Sequence, residues 1–318
     1  MRQTAILSNH WFAPSERDNV FKQERLPRPS LHVEYGKNGE QHLRGIQMIA
    51  ETLIISLGVF VVAFLFAPLG MGGGMLFVPL LHYGLGWEIN GALFAVSLSL
   101  TAVVSWGSGL AHRNEKHYDD LALKIGMKGA IPGALLGVGI VVLIGEKMDL
   151  VFKVLSLGMI SWAIYKTAGK MKKDSENQQP STAKSNDEIQ PMSVQIGAGI
   201  AGVLSSVLAI GAGIIYVPVL RTFAHLEPRK AIGTSLHFMM IVVPVAIFAH
   251  LITLPSEMYS KLGEELLLIL IFMALTFLGA RNGAQYGIKY LSEHQLMKIF
   301  LLVIIVVGLK YVTDLGGF

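Results

Sequence analysis

The sequence predicts an all-α polytopic membrane protein with about eight full spans and two glycine-broken short helices, built from two homologous repeats. Two observations predict it. The first is the distribution of charge. The 318-residue chain is 52% hydrophobic and 15% charged, and residues 52–87, 89–111, 129–145, 189–220 and 231–256 hold no Asp, Glu, Lys or Arg. About 20 apolar residues cross a bilayer core, so the chain crosses it many times. The second is a pattern written twice. Gly72-Gly73-Gly74-Met75-Leu76-Phe77-Val78-Pro79-Leu80-Leu81 returns as Gly211-Ala212-Gly213-Ile214-Ile215-Tyr216-Val217-Pro218-Val219-Leu220. Each copy sets helix-breaking glycines inside an uncharged stretch. Lipid-depth backbone leaves the helix only where protein or a watery cavity satisfies its polar groups. Paired breaks at matching places in two halves point to a transporter's binding site.

Residues 1–46 read as a polar N-terminal tail carrying Pro14, Pro27 and Pro29, with a short surface helix around Trp11–Leu26. No apolar core of 7–15 residues follows Met1, so the tail is not a secretory signal. A first membrane repeat occupies 47–168, with spans near 49–70, 91–111, 126–145 and 148–168. Residues 169–192, rich in Lys, Ser, Gln and Asn, form a solvated linker. A second repeat occupies 193–318, with spans near 193–212, 231–254, 264–288 and 295–313. The last is the weakest, because Lys298 and Lys310 must snorkel from it.

Two blocks are too long for one crossing. Residues 52–87 as a straight helix would reach about 54 Å at 1.5 Å per residue, against a hydrocarbon core about 30 Å thick. The chain must turn, and Gly70, Gly72, Gly73 and Gly74 allow it. Gly211 and Gly213 do the same for residues 189–220. Segments 75–86 and 214–224 then follow as short helices.

The repeat extends past the glycines. The offset is 211 − 72 = 139 at the break, and 235 − 97 = 138 for Ser97 and Ser235, as for His112 and His250. A glycine-spaced stretch, Gly129–Gly137, aligns with Gly279–Gly287 at an offset of 150. If each short helix returns to the side it left, the halves run parallel; if it completes a crossing, they are inverted. In the inverted scheme residues 112–128, 166–192, 221–230 and 281–298 share one face and hold fifteen Lys and Arg, against four on the other. Positive-inside bias favours that scheme, though it places the seven basic residues of the tail outside.

The net charge of +4 belongs to basic residues flanking apolar blocks, where they serve topology and headgroup contact rather than nucleic acid. The absence of cysteine excludes disulfides, thiolate metal sites and cysteine nucleophiles. No His-Glu-x-x-His, Gly-x-Ser-x-Gly, paired intramembrane carboxylates or nucleotide-binding loop is present, so no enzyme, cofactor or direct drive by ATP is expected.

Gly72, Gly73, Gly74, Gly211 and Gly213 are the first candidate binding residues. A helix N-terminus offers unpaired N–H groups and about half a positive charge, so two such ends near the midplane could hold an anion without a buried cation. Helix packing is the competing explanation for these glycines. Ser97, Thr234 and Ser235 offer hydroxyls for oxyanion oxygens, or else bond back within their own helices. His112 and His250 end corresponding spans and read as interfacial histidines, while His237 sits deeper; the histidine side chain is the one that changes charge near neutral pH, so any of them could couple transport to protons. Arg281 could attract an anion electrostatically, or simply snorkel. The Gly129/Gly133/Gly137 and Gly279/Gly283/Gly287 ladders read as packing surfaces.

At its two glycine breaks the sequence resembles the sulfite exporter TauE/SafE family of membrane permeases. The resemblance rests on Gly72–Leu81, Ala92–Leu98 and Gly129–Gly137, and again on Gly211–Leu220, Ala231–Leu236 and Gly279–Gly287. It covers about residues 49–315. It implies a multi-pass carrier in the cell membrane for a small, often sulfur-containing anion such as sulfite or a sulfonate. An anion channel and a carrier of a non-sulfur carboxylate are the alternatives.

Overall fold

The computed structural model describes residues 31–68, 72–114, 117–176, 189–287 and 293–317. The expected surface helix around Trp11–Leu26, Gly70 and half of the linker (177–188) lie outside them. The described residues are helical throughout, without strands. Residues 49–318 form one compact unit, and 1–48 another.

The helices are α1 (Leu31–Phe66), α2 (Gly74–Leu85), α3 (Gly91–Asn114), α4 (Asp120–Ile144), α5 (Met148–Glu176), α6 (Pro191–Leu208), α7 (Gly213–Phe223), α8 (Pro228–Ile252), α9 (Ser256–Glu264), α10 (Leu266–Asn282) and α11 (Glu293–Leu315). Helix α1 therefore starts inside the segment expected as a polar tail. Among the described residues six stretches, against the eight expected, are long and apolar enough to cross a membrane: Ile49–Phe66, Gly91–Leu110, Asp120–Tyr165, Pro191–Leu208, Pro228–Ile252 and Leu266–Tyr286. The third contains both α4 and α5, joined by a 3-10 turn at Gly145–Lys147.

Local sequence explains the helix starts. Asn90 Oδ1 accepts the N–H groups of Ala92 and Leu93 at the head of α3. Asp119 caps α4 by accepting the Ala122 N–H at 2.8 Å, and its charge suits that end of the helix dipole. Pro191 and Pro228 open α6 and α8 in the first turn, where a missing N–H is harmless.

Glycine positions fix how the helices pair. A Cβ on Gly58 would meet Leu80, and one on Gly84 would meet Ile55, so α1 and α2 form an antiparallel hairpin. Gly197 against Val219 makes the same hairpin of α6 and α7, closed at its base by the Gln190 N–H donating to Phe223 O. Gly129, Gly133 and Gly137 lie on the backbone of Gln195, Gly199 and Val203, so α4 and α6 run side by side in the same direction. Gly279 and Gly283 lie likewise on Phe60 and Phe64, pairing α10 with α1. Small residues let these backbones touch, which is how helices associate where lipid removes the hydrophobic drive. By contrast α3 and α8 are antiparallel: Gly91 meets Leu254 and His250, while Gly109 meets Met240 and Leu236.

These contacts revise the alignment of the two glycine ladders. Gly133 on Gly199 corresponds to Gly279 on Phe60, and Gly137 on Val203 to Gly283 on Phe64, since 199 − 60 and 203 − 64 both equal 139. The ladder offset is thus 279 − 133 = 146, one helical turn short of the 150 read from the glycines alone. Identical spacing of four lets a ladder slide by a turn without losing its matches.

Candidate functional site

The tips of the two hairpins meet. A Cβ on Gly74, the first residue of α2, would lie 2.6 Å from Ala209 O and 2.7 Å from the Ile210 backbone. Gly72 and Gly211 abut the same two side chains. A Cβ on Gly72 would lie 3.0 Å from Thr101 Cγ2 and 3.1 Å from Met239 Sδ; one on Gly211 would lie 2.5 Å and 3.1 Å from those atoms. Thr101 stands ten residues after Gly91 and nine before Leu110, and Met239 eleven after Pro228 and thirteen before Ile252. Each is near the middle of its span, so the tips meet at mid-depth.

The chain turns at each tip through two consecutive left-handed residues. These are Gly72 and Gly73 (φ 74° and 72°) in the first hairpin, and Gly211 and Ala212 (φ 69° and 55°) in the second. Gly73 and Ala212 are the N-caps of α2 and α7, and neither helix has a side-chain cap. The third N–H of each helix bonds back to its cap: Leu76 to Gly73 O, Ile215 to Ala212 O. The first two N–H groups, on Gly74 and Met75 and on Gly213 and Ile214, precede any helical acceptor. Met75 and Ile214 line one small pocket with Phe66, Ile210 and Phe300, with room for about one water molecule. Pro79 and Pro218, each five residues into its helix, withhold the N–H that would bond to the Met75 and Ile214 carbonyls. Each short helix is therefore loosened one turn from its start.

The expected site residues divide on inspection. Gly72, Gly73, Gly74, Gly211 and Gly213 are all buried at the tips. Ser97, fully buried on α3, donates to Ala209 O at 3.3 Å and so holds the second tip. Ser235 is fully buried on α8, and its Oγ has no hydrogen-bond partner among the described residues. Thr234 Oγ1 accepts the Asp119 N–H at 2.9 Å, fastening the α3–α4 connection rather than the tips. His237 lies on that side too, stacked on Tyr118 with ring centroids 4.5 Å apart. Its Nδ1 donates to Gly233 O at 2.7 Å, which leaves Nε2 as a buried acceptor without a partner among the described residues. Arg281 is exposed on α10, two residues from each of Gly279 and Gly283, which face α1. An offset of 150 would pair Arg281 with Ile131; at the observed offset of 146 its counterpart is Leu135, also exposed.

Sequence reasoning passed over Thr101 and Met239 as the surface on which both breaks rest, and Ala209 and Ala212 as left-handed turn residues. The 138 offset relates Thr101 to Met239 and could have found them, but a hydroxyl and a thioether share no motif. Alanine carries no signal for positive φ.

Among the described residues no three His, Asp or Glu side chains cluster as a metal site. The strongest ion pairing lies away from the tips. Lys153, nearly buried on α5, contacts Asp149 Oδ2 at 2.8 Å and Asp314 Oδ2 at 2.5 Å, while Tyr83 OH donates to Asp314 at 3.1 Å. The Lys153 hydrogen bond, reinforced by Tyr83, holds the Asp314 carboxyl below its ordinary range.

Among the described residues the two broken helices meet tip to tip within a set of helices long and apolar enough to cross a membrane. The family model for the sulfite exporter TauE/SafE family matches residues 55–311. The chain belongs to that family. No curated protein and no solved structure matches it.

Proposed function

We propose that this chain is a secondary carrier for a small sulfur-bearing anion such as sulfite or an organosulfonate. The anion binds at mid-depth, where the first turns of α2 and α7 open toward each other. The supporting observation is that Met75 and Ile214, the second residues of the two short helices, line one pocket. Their N–H groups and the two helix dipoles supply positive potential without a buried cation. Ser235 adds a buried hydroxyl that nothing else uses, and Ser97 a second once the tips part. His237 and Thr234 stand at the cytoplasmic margin. The family supports a sulfur oxyanion, and the chemistry of the N–H groups suits any small oxyanion.

The proposal includes the architecture. Two inverted repeats, 47–168 and 193–318, each contribute three full spans and one hairpin that turns back at mid-depth, in place of four full spans and a short helix, and the protein lies in the cell membrane with residues 112–128, 169–192 and 221–230 in the cytoplasm. The parallel pairing of α4 with α6 and of α10 with α1, together with the antiparallel pairing of α3 with α8, supports inversion. Parallel repeats would align α3 with α8. Cysteines can be introduced singly, since the chain has none. A cysteine at Arg229 should be protected from an impermeant reagent added outside; labelling from outside overturns the inverted scheme.

The test of function is flux of labelled sulfite and of a small sulfonate into proteoliposomes holding the purified protein. A carrier shows saturation and counterflow. Linear flux without counterflow supports an anion channel, and selective uptake of a carboxylate instead supports the other alternative.

A further inference from the structure

We propose that His250 is the proton-binding site of this carrier and that its protonation loosens the second hairpin. The inference rests on the carrier reading, but its test does not require transport.

His250 is fully buried on α8, fourteen residues before Glu264 and two before the end of its own helix at Ile252. Its Nε2 donates to the Ser206 carbonyl at 3.2 Å. That bond places the proton of the neutral ring on Nε2, so Nδ1 carries a lone pair. Nδ1 is buried without a hydrogen-bond partner among the described residues. The ring is otherwise enclosed by Phe94, edge to face at 5.9 Å, and by the Gly91 backbone. Among the described contacts of His250 no element presents a charged group: α6 offers Ser206, α3 offers Phe94 and Gly91, and Thr253 on its own side bonds only to backbone carbonyls. An ionisable side chain inside a membrane span with an open coordination position is a functional candidate.

The bond it makes explains what protonation would do. Ser206 lies in the last turn of α6, whose Ser205 carbonyl accepts the Ile210 N–H. Ile210 and Ala209 are the backbone on which Gly74 seats. His250 therefore holds the arm of the tip junction directly. A proton taken from water onto Nδ1 makes the ring a cation with two donors. One donor keeps Ser206 O, and the other has no acceptor in this packing. The unpartnered Oγ atoms of Ser205 and Ser206 lie on the same helical turn and can accept it only if that turn shifts. A buried unpaired charge is costly, so the charged ring favours a state in which the tips have parted and water or the anion reaches them. The cation would also stand at the C-terminal end of the α6 dipole, and its charge would balance that of a monovalent oxyanion.

The test uses the full chain with Ile214→Cys as its single cysteine, placed in the tip pocket and reconstituted in liposomes without added substrate. The rate of maleimide labelling, corrected for the reagent's own pH dependence with an exposed-cysteine control, is read between about pH 8 and about pH 5.5. We expect it to rise about fivefold or more as pH falls, the shift a histidine-gated equilibrium gives. With His250→Gln, whose amide can still donate to Ser206 O, the rise should fall below about twofold, while His82→Gln should keep it. A corrected rate in the His250-containing protein that is flat with pH overturns the proposal, whatever the variants do. So does a rise that persists unchanged in His250→Gln. If the rise behaves as expected but no anion is ever transported, the carrier reading fails and the proton site stands.

Discussion

The two hairpins reach the same backbone shape with different residues. The first turns through Gly72 and Gly73; the second through Gly211 and Ala212, with Ala209 also left-handed at φ 50°. Alanine in that region costs about 1–2 kcal/mol that glycine does not. The carbonyl before each break is also held differently. Ser108 Oγ donates to Ala67 O at 2.8 Å in the first, whereas His250 holds Ser206 O in the second, and 206 − 67 is again 139. At the far ends, Tyr83 of α2 reaches Asp314, while Thr222, 139 residues on, is exposed on α7. The turn is thus imposed by the tip-to-tip junction and not by glycine as such. The first hairpin is relaxed at its tip and clasped at its base by a side chain to α11; the second is strained at its tip, closed at its base by its own backbone, and tied to a titratable ring.

The largest expected effect tests the junction both hairpins share. Gly74→Val drives a side chain into the Ala209 and Ile210 backbone, which cannot retreat as a flexible side chain would. It should cost at least about 3 kcal/mol or abolish sulfite counterflow in protein that still inserts. Insertion follows summed apolarity, which valine keeps. Folded Gly74→Val protein with normal counterflow would show that the tips need not touch.

A sharper comparison sets Gly72→Ala against Gly211→Ala. Both residues have positive φ and meet the same Thr101 methyl, but the second meets it half an ångström closer. Gly211→Ala should be the more damaging by about 1 kcal/mol, and Thr101→Ser, which removes the methyl and keeps the hydroxyl, should recover most of that difference. Equal losses, or no recovery in Thr101→Ser, would mean that strain in φ outweighs the contact. Exchanging the caps is gentler still. Gly73→Ala should lower the apparent melting temperature and Ala212→Gly should raise it, each by about 1 kcal/mol of stability. Changes of the same sign would end the claim that the turns are equivalent.

Much of this was legible in the chain. The uncharged blocks located five of the six apolar stretches among the described residues, and a block too long for one crossing located the breaks. The doubled glycine pattern identified the family. What stayed hidden was whatever depends on partners distant in sequence. Thr234 reads as a binding hydroxyl until Asp119 is seen to use it. The ladder slid by a turn because Gly-x-x-x-Gly matches itself at every fourth residue. His250 reads as an interfacial histidine because it ends an apolar run; only the fold wraps Phe94, Gly91 and Ser206 around it.

The clasp at the base of the first hairpin gives a smaller, pH-dependent effect. The Asp314 carboxyl is depressed in the folded protein by Lys153 and Tyr83. Its contribution to stability is therefore complete above the ordinary carboxylate range and is lost as pH falls through the lowered folded value. Asp314→Asn should remove that acid-side decline in melting temperature while leaving the neutral-to-basic profile parallel to the parent. An unchanged acid limb would assign the decline to other carboxylates.

The smallest effect concerns the approach to the site. Arg281 stands beside the first hairpin, at the level where Gly283 packs on Phe64; Leu135 occupies the matching place beside the second. Of these two matching positions the first hairpin alone therefore has a cation beside it, and being exposed it acts at long range rather than by contact. Arg281→Gln should weaken apparent anion affinity by about twofold at low ionic strength and hardly at all at 0.15 M salt, where the screening length is about 8 Å. Leu135→Arg should do the opposite from the other side, strengthening affinity at low salt only, if the two approaches lead to one shared pocket. A loss in Arg281→Gln that is equal at every ionic strength would make the residue a packing or contact element. A gain confined to Arg281 with none from Leu135→Arg would make the approach itself one-sided, with the two hairpins alike in shape and unlike in access.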